Sequence, residues 1–248
     1  MSKIQKVPPN SVHVWRGFRS PQKTQAQFEA FLGEVFVPGC TLLQPNAGLH
    51  AYVPSLPDQA NKPAGVPDQS ALMFWTDQET YHDAFKCVAV RCYTNLHGDL
   101  YDTTRSKAEF PVLFAGEVKE ETPYYLIDAP ADWMIEEVDH FIGARNGDVT
   151  SDDFQSEVAT WAKGLQSRAG LDGGLFCIGA DYIVAWVLWG AGADKTGAFD
   201  GLSGVADACL NRSAESYTPP AGLWTEWPGI PMQAPNCLNI QLVRPGTS

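Results

Sequence analysis

The feature that most constrains the fold is an internal repeat, because the chain matches itself at an offset of 126 residues. The segment VHVWRGFRSPQKTQAQF, which begins at Val12, aligns without a gap with VDHFIGARNGDVTSDDF, which begins at Val138. A repeat of this size predicts that two copies of one supersecondary unit build the fold. The identical pairs are Val12 and Val138, Gly17 and Gly143, Arg19 and Arg145, Thr24 and Thr150, Phe28 and Phe154, Gly48 and Gly174, and Leu49 and Leu175.

Hydrophobic patterning predicts the element order βαββαβ in each half of the chain. This is the order of the ferredoxin-like split βαβ unit. The shared order favours duplication over chance identity between two amphipathic segments. The predicted elements are 12–19, 24–37, 49–53, 71–76, 77–102 and 110–114 in the first half, and 138–144, 151–168, 175–178, 182–189, 195–210 and 238–243 in the second.

The segment YIVAWVLW, Tyr182–Trp189, is apolar at every position instead of alternating. Such a strand is expected to be covered on both faces, by helices on one and by a second sheet on the other. The predicted fold class is therefore α+β, with tandem ferredoxin-like repeats that form an intramolecular α+β barrel. We place the first repeat at 11–116, a linker at 117–132 and the second repeat at 133–248. Because the barrel closes within one chain, a monomer can bury the sheet faces by itself. We expect a monomer or a homodimer.

Composition narrows the classes of partner. The net charge of -12 and the pI near 4.7 repel phosphate backbones and anionic lipid, so we expect neither nucleic acid nor a membrane surface as partner. No apolar run has the length of a membrane span, and no apolar segment of a secretory signal follows the N-terminal lysines. We expect a cytoplasmic protein whose six cysteines, none in a CxxC pair, are reduced.

The common catalytic signatures are absent from the sequence. GxGxxG, GxxxxGK[ST], HExxH and GxSxG do not occur, and histidines and carboxylates show no compact metal-ligand spacing. We therefore expect no nucleotide cofactor and no metal. The partner that remains is a small-molecule substrate.

The segment FWTDQETYHDAF resembles the strand-to-helix junction of the dimeric α+β barrel superfamily. From Ser11 to Val243 the chain is similar to members in which two ferredoxin-like repeats are fused. This resemblance implies a small-molecule enzyme of the isomerase, cyclase, lyase or monooxygenase type, many of which use no cofactor. The chlorite dismutases of that superfamily bind haem through a histidine of the C-terminal repeat. No histidine follows His140 here, so haem is not expected.

Candidate acid-base residues lie in the first repeat, which holds four of the five histidines. Tyr93, His97 and Tyr101 are spaced four apart, which places them on one stripe of a helix. Histidine transfers protons near neutral pH, and tyrosine hydrogen-bonds an oxyanion. We predict His97 and His50 as acid-base residues, with Tyr93 and Tyr101 stabilising an oxyanion. The alternative is that the stripe only packs the core.

Aromatic residues provide the candidate substrate contacts. Trp75 and Tyr52, on neighbouring predicted strands, are expected to contact a substrate ring. The loop 214–236, which interrupts the repeat symmetry and carries Trp224 and Trp227, is expected to close over the pocket. A structural cap is the alternative for that loop. For the whole protein, the alternative to a cofactor-independent enzyme is a non-catalytic ligand-binding or stress-response protein.

Overall fold

Two six-stranded sheets pack face to face, with helices on the outer faces, in a computed structural model that describes residues 6–44, 47–57, 62–133, 137–208, 214–217 and 240–243. The predicted α+β class is confirmed. The strands are β1 Val12–Gly17, β2 Leu49–Ser55, β3 Gln69–Trp75, β4 Lys107–Glu109, β5 Val112–Leu113, β6 Tyr124–Tyr125, β7 Glu137–Arg145, β8 Leu171–Ile178, β9 Tyr182–Trp189, β10 Ala206–Ala208, β11 Ala214–Tyr217 and β12 Ile240–Val243. The helices are α1 Gln25–Phe31, α2 Val37–Leu43, α3 Gln78–Ala84, α4 Val88–Leu100 and α5 Ser151–Gln166.

The two sheets have the same central arrangement. The first sheet has the order β11-β12-β2-β3-β1-β4, and the second has β10-β7-β9-β8-β6-β5. In both, the first strand of the half pairs antiparallel with the third, as Val12 opposite Phe74 and Val138 opposite Leu188 show. The third strand lies between the first and the second in each half. Within the described ranges, no helix has the length and apolarity to cross a membrane.

The strand β9 is the most buried element of the fold, with all eight residues buried. Ile183, Ala185 and Val187 belong to the core beneath α5, whereas Val184 and Trp186 belong to the core between the two sheets. Both faces are therefore covered, which confirms the prediction from the unbroken apolar run. Burial on both faces removes every side chain of this strand from water. β9 therefore contributes to both cores that stabilise the second half of the molecule.

The strand-to-helix turns of the two halves make equivalent hydrogen bonds. In each, a threonine caps the helix by accepting from a backbone N–H in the first turn, as N-cap residues do. An arginine of each turn also donates to the backbone carbonyl that precedes its threonine. The equivalent bonds are Thr24 with Gln27 (3.2 Å) and Thr150 with Asp153 (3.1 Å), and Arg19 Nη1 with Lys23 O and Arg145 Nη1 with Val149 O.

The second half differs from the predicted pattern, because no α-helix occupies the described part of 195–210. That segment forms turns, a 3-10 turn at Asp200–Leu202 and β10. Glycine explains the difference. Gly197, inside the segment, and Gly192, just before it, adopt φ values of +68° and +78°, in the left-handed region that a right-handed helix cannot use.

The last predicted strand of each half also has a different position. The segment 110–114 contributes β5 to the second sheet, whereas β4 completes the edge of the first. Pro111 separates these strands and cannot continue the hydrogen-bonded ladder of β4, so the chain crosses between sheets there. The predicted linker contributes β6 to the second sheet. Near the C-terminus, β12 pairs parallel with β2 of the first sheet.

The helical segments are divided more finely than their periodicity predicts. The helix predicted at 77–102 is interrupted between α3 and α4. The helix predicted at 24–37 extends to Leu43 through a π-turn at Leu32–Phe36, which joins α1 to α2. Pro38 has no N–H for the carbonyl of Glu34, and Val37 N–H instead bonds to Leu32 O in the wider π spacing.

Candidate functional site

A cavity of about 260 Å3 lies between the first sheet and helices α3 and α4. The sheet contributes alternate residues, since successive side chains of a strand point to opposite faces. Aromatic and imidazole rings predominate, and no Lys, Arg, Asp or Glu of the described residues lines the cavity. The lining residues are His13, Trp15, Gln44, Met73, Trp75, Tyr81, Phe85, Val90, Tyr93, Thr94, His97, Thr103, Ser106 and Ala108.

His97 lies on α4 with a defined tautomer. Its Nδ1 is 2.9 Å from the carbonyl oxygen of Thr94, one turn earlier on the helix. A carbonyl only accepts, so Nδ1 carries the proton and Nε2 of the neutral ring keeps its lone pair. Burial lowers the pKa of His97, although the bond to Thr94 opposes the shift. The ring is therefore neutral at pH 7, with Nε2 able to accept a proton.

Aromatic rings hold the imidazole of His97 in place. Phe36 and Trp15 meet it edge-on, with centroids 4.8 and 5.1 Å from the imidazole centroid. Tyr93 and Tyr101 lie at 5.5 and 5.8 Å. Phe36 is the last residue of the π-turn, so the wider turn positions this ring against His97. The imidazole of His97 is thereby confined to one orientation among apolar neighbours.

His13 on β1 is a second imidazole of the cavity wall, 5% exposed. It lies between Tyr81 and Phe110, with ring centroids at 4.3 and 4.8 Å. Burial, assisted by the charge of Arg16, lowers the pKa of His13 to about 3. Its Nδ1, like Nε1 of Trp75, is buried and has no hydrogen-bond partner among the described residues.

Among the residues of this wall that were not identified from the sequence are His13, Trp15 and Tyr81. The signal that could have found them is positional. His13 and Trp15 alternate along β1, and β3 pairs with β1 beside them, which places Trp75 on the same face of the sheet. Of the residues predicted from the sequence, His97, Tyr93 and Trp75 line the cavity. Burial raises the pKa of Tyr93 well above its usual value, so its hydroxyl stays protonated.

Tyr101 and Tyr52 belong to the same core but do not line the cavity. Tyr101 donates its hydroxyl to Gln69 Oε1 at 2.9 Å, and Gln69 Nε2 donates to the Tyr52 hydroxyl at 3.2 Å. Both tyrosines are fully buried, and burial raises the pKa of each well above the usual value. Their hydroxyls are thus engaged with Gln69, beneath the cavity wall.

The structure does not bring His50 to His97. His50 is exposed on β2, and its Nε2 lies 2.9 Å from the hydroxyl of Thr76. Trp224 and Trp227 lie outside the described residues, so the predicted lid over the cavity stays a prediction. Among the residues that the structure describes, no group of three or more His, Cys, Asp and Glu side chains could hold a metal ion.

No protein-family model matches the chain, and no curated protein matches it. Among solved structures, a proposed monooxygenase from Lactobacillus acidophilus NCFM is 8% identical, with 80% of this chain and 91% of that chain covered and a TM-score of 0.37. A proposed monooxygenase from Fusobacterium nucleatum subsp. nucleatum is 7% identical, with coverage of 80% and 91% and a TM-score of 0.38. An anthrone oxidase-like protein is 9% identical, with coverage of 83% and 93% and a TM-score of 0.37. TM-scores this low describe a loose similarity of arrangement, so the chemistry proposed below rests on the residues of the cavity.

Proposed function

We propose that the cavity binds a small, largely aromatic molecule and that His97 transfers a proton during its conversion. The reaction is of the isomerase, cyclase, lyase or monooxygenase type and needs no cofactor. One observation carries the proposal: in an aromatic cavity without charged side chains among the described residues, the carbonyl of Thr94 leaves Nε2 of His97 as an available base. A neutral imidazole in this position is suited to general base catalysis.

The proton transfer proceeds as follows. Nε2 of His97 takes a proton from an acidic O–H or C–H bond of the bound molecule, which leaves an anion and an imidazolium. The carbonyl of Thr94 stabilises that imidazolium through the Nδ1 hydrogen bond, since the same bond raises the pKa of His97. The surrounding rings exclude water, which strengthens the attraction between the two charges. Return of the proton to a different atom completes an isomerisation.

Deuterium exchange into a probe ketone measures the proton transfer without knowledge of the natural substrate. We expect the protein in D2O to accelerate exchange of the acidic C–H positions of 2-tetralone, a neutral bicyclic ketone, followed by mass spectrometry. His97→Gln removes the base and is expected to lower the catalysed rate roughly 100-fold or more, in the range general base catalysis contributes. His82→Gln, at an exposed histidine of α3, is the matched control and is expected to keep the rate.

Equal exchange by His97→Gln and the unaltered protein would contradict a role of His97 as base. Binding of the ketone without catalysed exchange would also contradict it, and would favour the non-catalytic ligand-binding function. The same assay with His50→Gln tests whether His50 takes part from its exposed position on β2. A change there would show that a second site acts on the probe.

The pH dependence of exchange provides an independent prediction. Because burial lowers the pKa of His97, the ring stays unprotonated below the ordinary histidine value of 6.5. A base is active while it is unprotonated, so we expect the exchange rate to be level through pH 6.5 and to decline only at more acid pH. Rates measured from pH 8 to 5, with circular dichroism at each pH to confirm folding, test this. A midpoint above 6.5 would contradict the lowered pKa.

We also infer that the two halves arose by duplication of one ferredoxin-like unit, as in the fused members of the dimeric α+β barrel superfamily. The equivalent turn hydrogen bonds at the offset of 126 residues support this inference. Glycines support it too. A Cβ on Gly17 would lie 2.5 Å from the Trp15 ring nitrogen, and one on Gly143 would lie 2.7 Å from the Asp207 carbonyl. Both copies thus need a residue without a side chain in the last part of their first strand.

A further inference from the structure

The cavity wall is uncharged, which limits the ligand. The described lining residues include no Lys, Arg, Asp or Glu, and the two imidazoles have lowered pKa values. A carboxylate or an ammonium group in this cavity would lose its hydration without gaining an opposite charge, which is costly. The wall therefore suits a ligand that carries no charge.

The wall nevertheless contains three buried polar atoms that have no hydrogen-bond partner among the described residues. Nε1 of Trp15 is one of them, and the two considered for a ligand are Nδ1 of His13 and Nε1 of Trp75. Folded proteins pair nearly all of their buried polar atoms, so such exceptions require an explanation. His13 lies opposite Met73 in the β1–β3 ladder, and Trp75 is two residues further along β3. Diagonal neighbours of this kind are about 7–8 Å apart and share one face of a sheet.

We propose that His13 is a specificity-determining residue of this cavity, which hydrogen-bonds, together with Trp75, to a hydroxyl group of an uncharged aromatic ligand. This inference rests on the proposed function, because it names the ligand chemistry of the same cavity. The Trp75 nitrogen only donates, so its partner has an acceptor oxygen. The neutral ring of His13 either donates or accepts at Nδ1, according to its tautomer. A hydroxyl group satisfies both nitrogens in either case.

Three probes of similar shape test the inference by equilibrium dialysis at pH 7. They are 1-naphthol, 1-fluoronaphthalene, which lacks the hydroxyl, and 1-naphthoate, which carries a charge. We expect the unaltered protein to bind 1-naphthol about tenfold more tightly than 1-fluoronaphthalene, as one net hydrogen bond provides. We expect 1-naphthoate to bind more weakly than both.

Variants test whether the preference for 1-naphthol depends on Nδ1 of His13 and Nε1 of Trp75. His13→Phe is expected to bring the two neutral probes within about threefold of each other while 1-fluoronaphthalene keeps its affinity. His13→Gln, which still donates and accepts, is expected to retain a preference for 1-naphthol. If His13→Phe does not fold, Trp75→Phe removes the other nitrogen and is expected to reduce the preference in the same way. Gln22→Ala, at an exposed residue that does not line the cavity, is the control in each measurement.

The outcomes separate this inference from the proposed function. Equal affinity of the unaltered protein for the neutral probes, or a preference unchanged in His13→Phe, overturns the role of His13. Tightest binding of 1-naphthoate overturns the uncharged ligand. If either result is found while deuterium exchange into 2-tetralone still depends on His97, this inference fails and the proposed function stands. If none of the three probes binds and exchange is not catalysed, both proposals fail.

Discussion

Mild acid is expected to destabilise this protein strongly, because His13 and His140 are buried as neutral rings. Burial lowers the pKa of each from 6.5 to about 3, and His140 is 2% exposed. Below pH 6.5 the unfolded chain binds protons that the folded protein excludes, so the free energy of unfolding falls until pH approaches 3. The loss is about 1.4 kcal/mol per pH unit for each histidine. Because the unfolded histidines are only half protonated at pH 6.5, the two together cost about 3 kcal/mol between pH 6.5 and 5, a large part of the stability of a typical domain.

Urea unfolding at half-unit intervals from pH 6.5 to 5 measures this loss before most carboxylates begin to titrate. His97, whose pKa is also lowered by burial, adds to the slope. His140→Gln removes the contribution of one ring and is expected to lower the slope of unfolding free energy against pH by up to about 1.4 kcal/mol per pH unit. Gln22→Ala, which changes an exposed residue without a charge, is the control and is expected to leave the slope as it is. A protein whose stability does not change over this interval would show that the two rings are not buried as described.

Loss of Glu121 is expected to have the second large effect. The guanidinium of Arg16 donates to the Val14 carbonyl at 2.7 Å and to the carbonyl and carboxylate of Glu121, both at 3.1 Å. The Arg16 side chain is 0% exposed and that of Glu121 is 42% exposed. Tyr182 of β9 donates to the same carboxylate at 3.3 Å, so Glu121 joins the two sheets. Glu121→Ala leaves a buried cation without its partner and is expected to cost about 3 kcal/mol, with partial exposure of the carboxylate limiting the loss.

A double variant identifies the cause of that loss. If the unpaired cation is responsible, Arg16→Met combined with Glu121→Ala is expected to be about 2 kcal/mol more stable than Glu121→Ala alone. Glu117→Ala, at an exposed residue nearby, is the control and is expected to change stability by less than about 0.5 kcal/mol. A double variant less stable than Glu121→Ala would assign the loss to packing instead. Chemical unfolding curves measured at one pH compare all four proteins.

Where local rules decide structure, sequence and structure agree closely. The unbroken apolar run of β9 required cover on both faces, and the strand has the predicted bounds Tyr182–Trp189. Thr24 and Thr150 begin their helices because a threonine side chain satisfies a free backbone N–H wherever the chain turns into a helix. These features depend on a few neighbouring residues, and a single sequence contains them.

Hydrophobic patterning gave the wrong secondary structure for the segment after Gly190. Apolar residues at helical spacing in 195–210 suggested a helix, but glycines with left-handed backbone angles produce turns instead. A periodic pattern shows which residues face a core, but turns can bury the same side chains. Ala198 and Leu202 are buried without an α-helix. The backbone conformation of a glycine-rich segment depends on its packing, which a periodic pattern does not contain.

For the candidate site, the sequence alone determined one stripe of α4, since Tyr93 and His97 share a helix face by spacing. Only the tertiary structure decided which tyrosines reach the cavity, because Tyr101 and Tyr52 bond to Gln69 beneath its wall. It also brought in His13, from a strand 84 residues before His97 in the chain. The physical reason is that a cavity forms where distant elements fail to fill the space between them. Its lining depends on strand register and helix placement, which no local pattern contains.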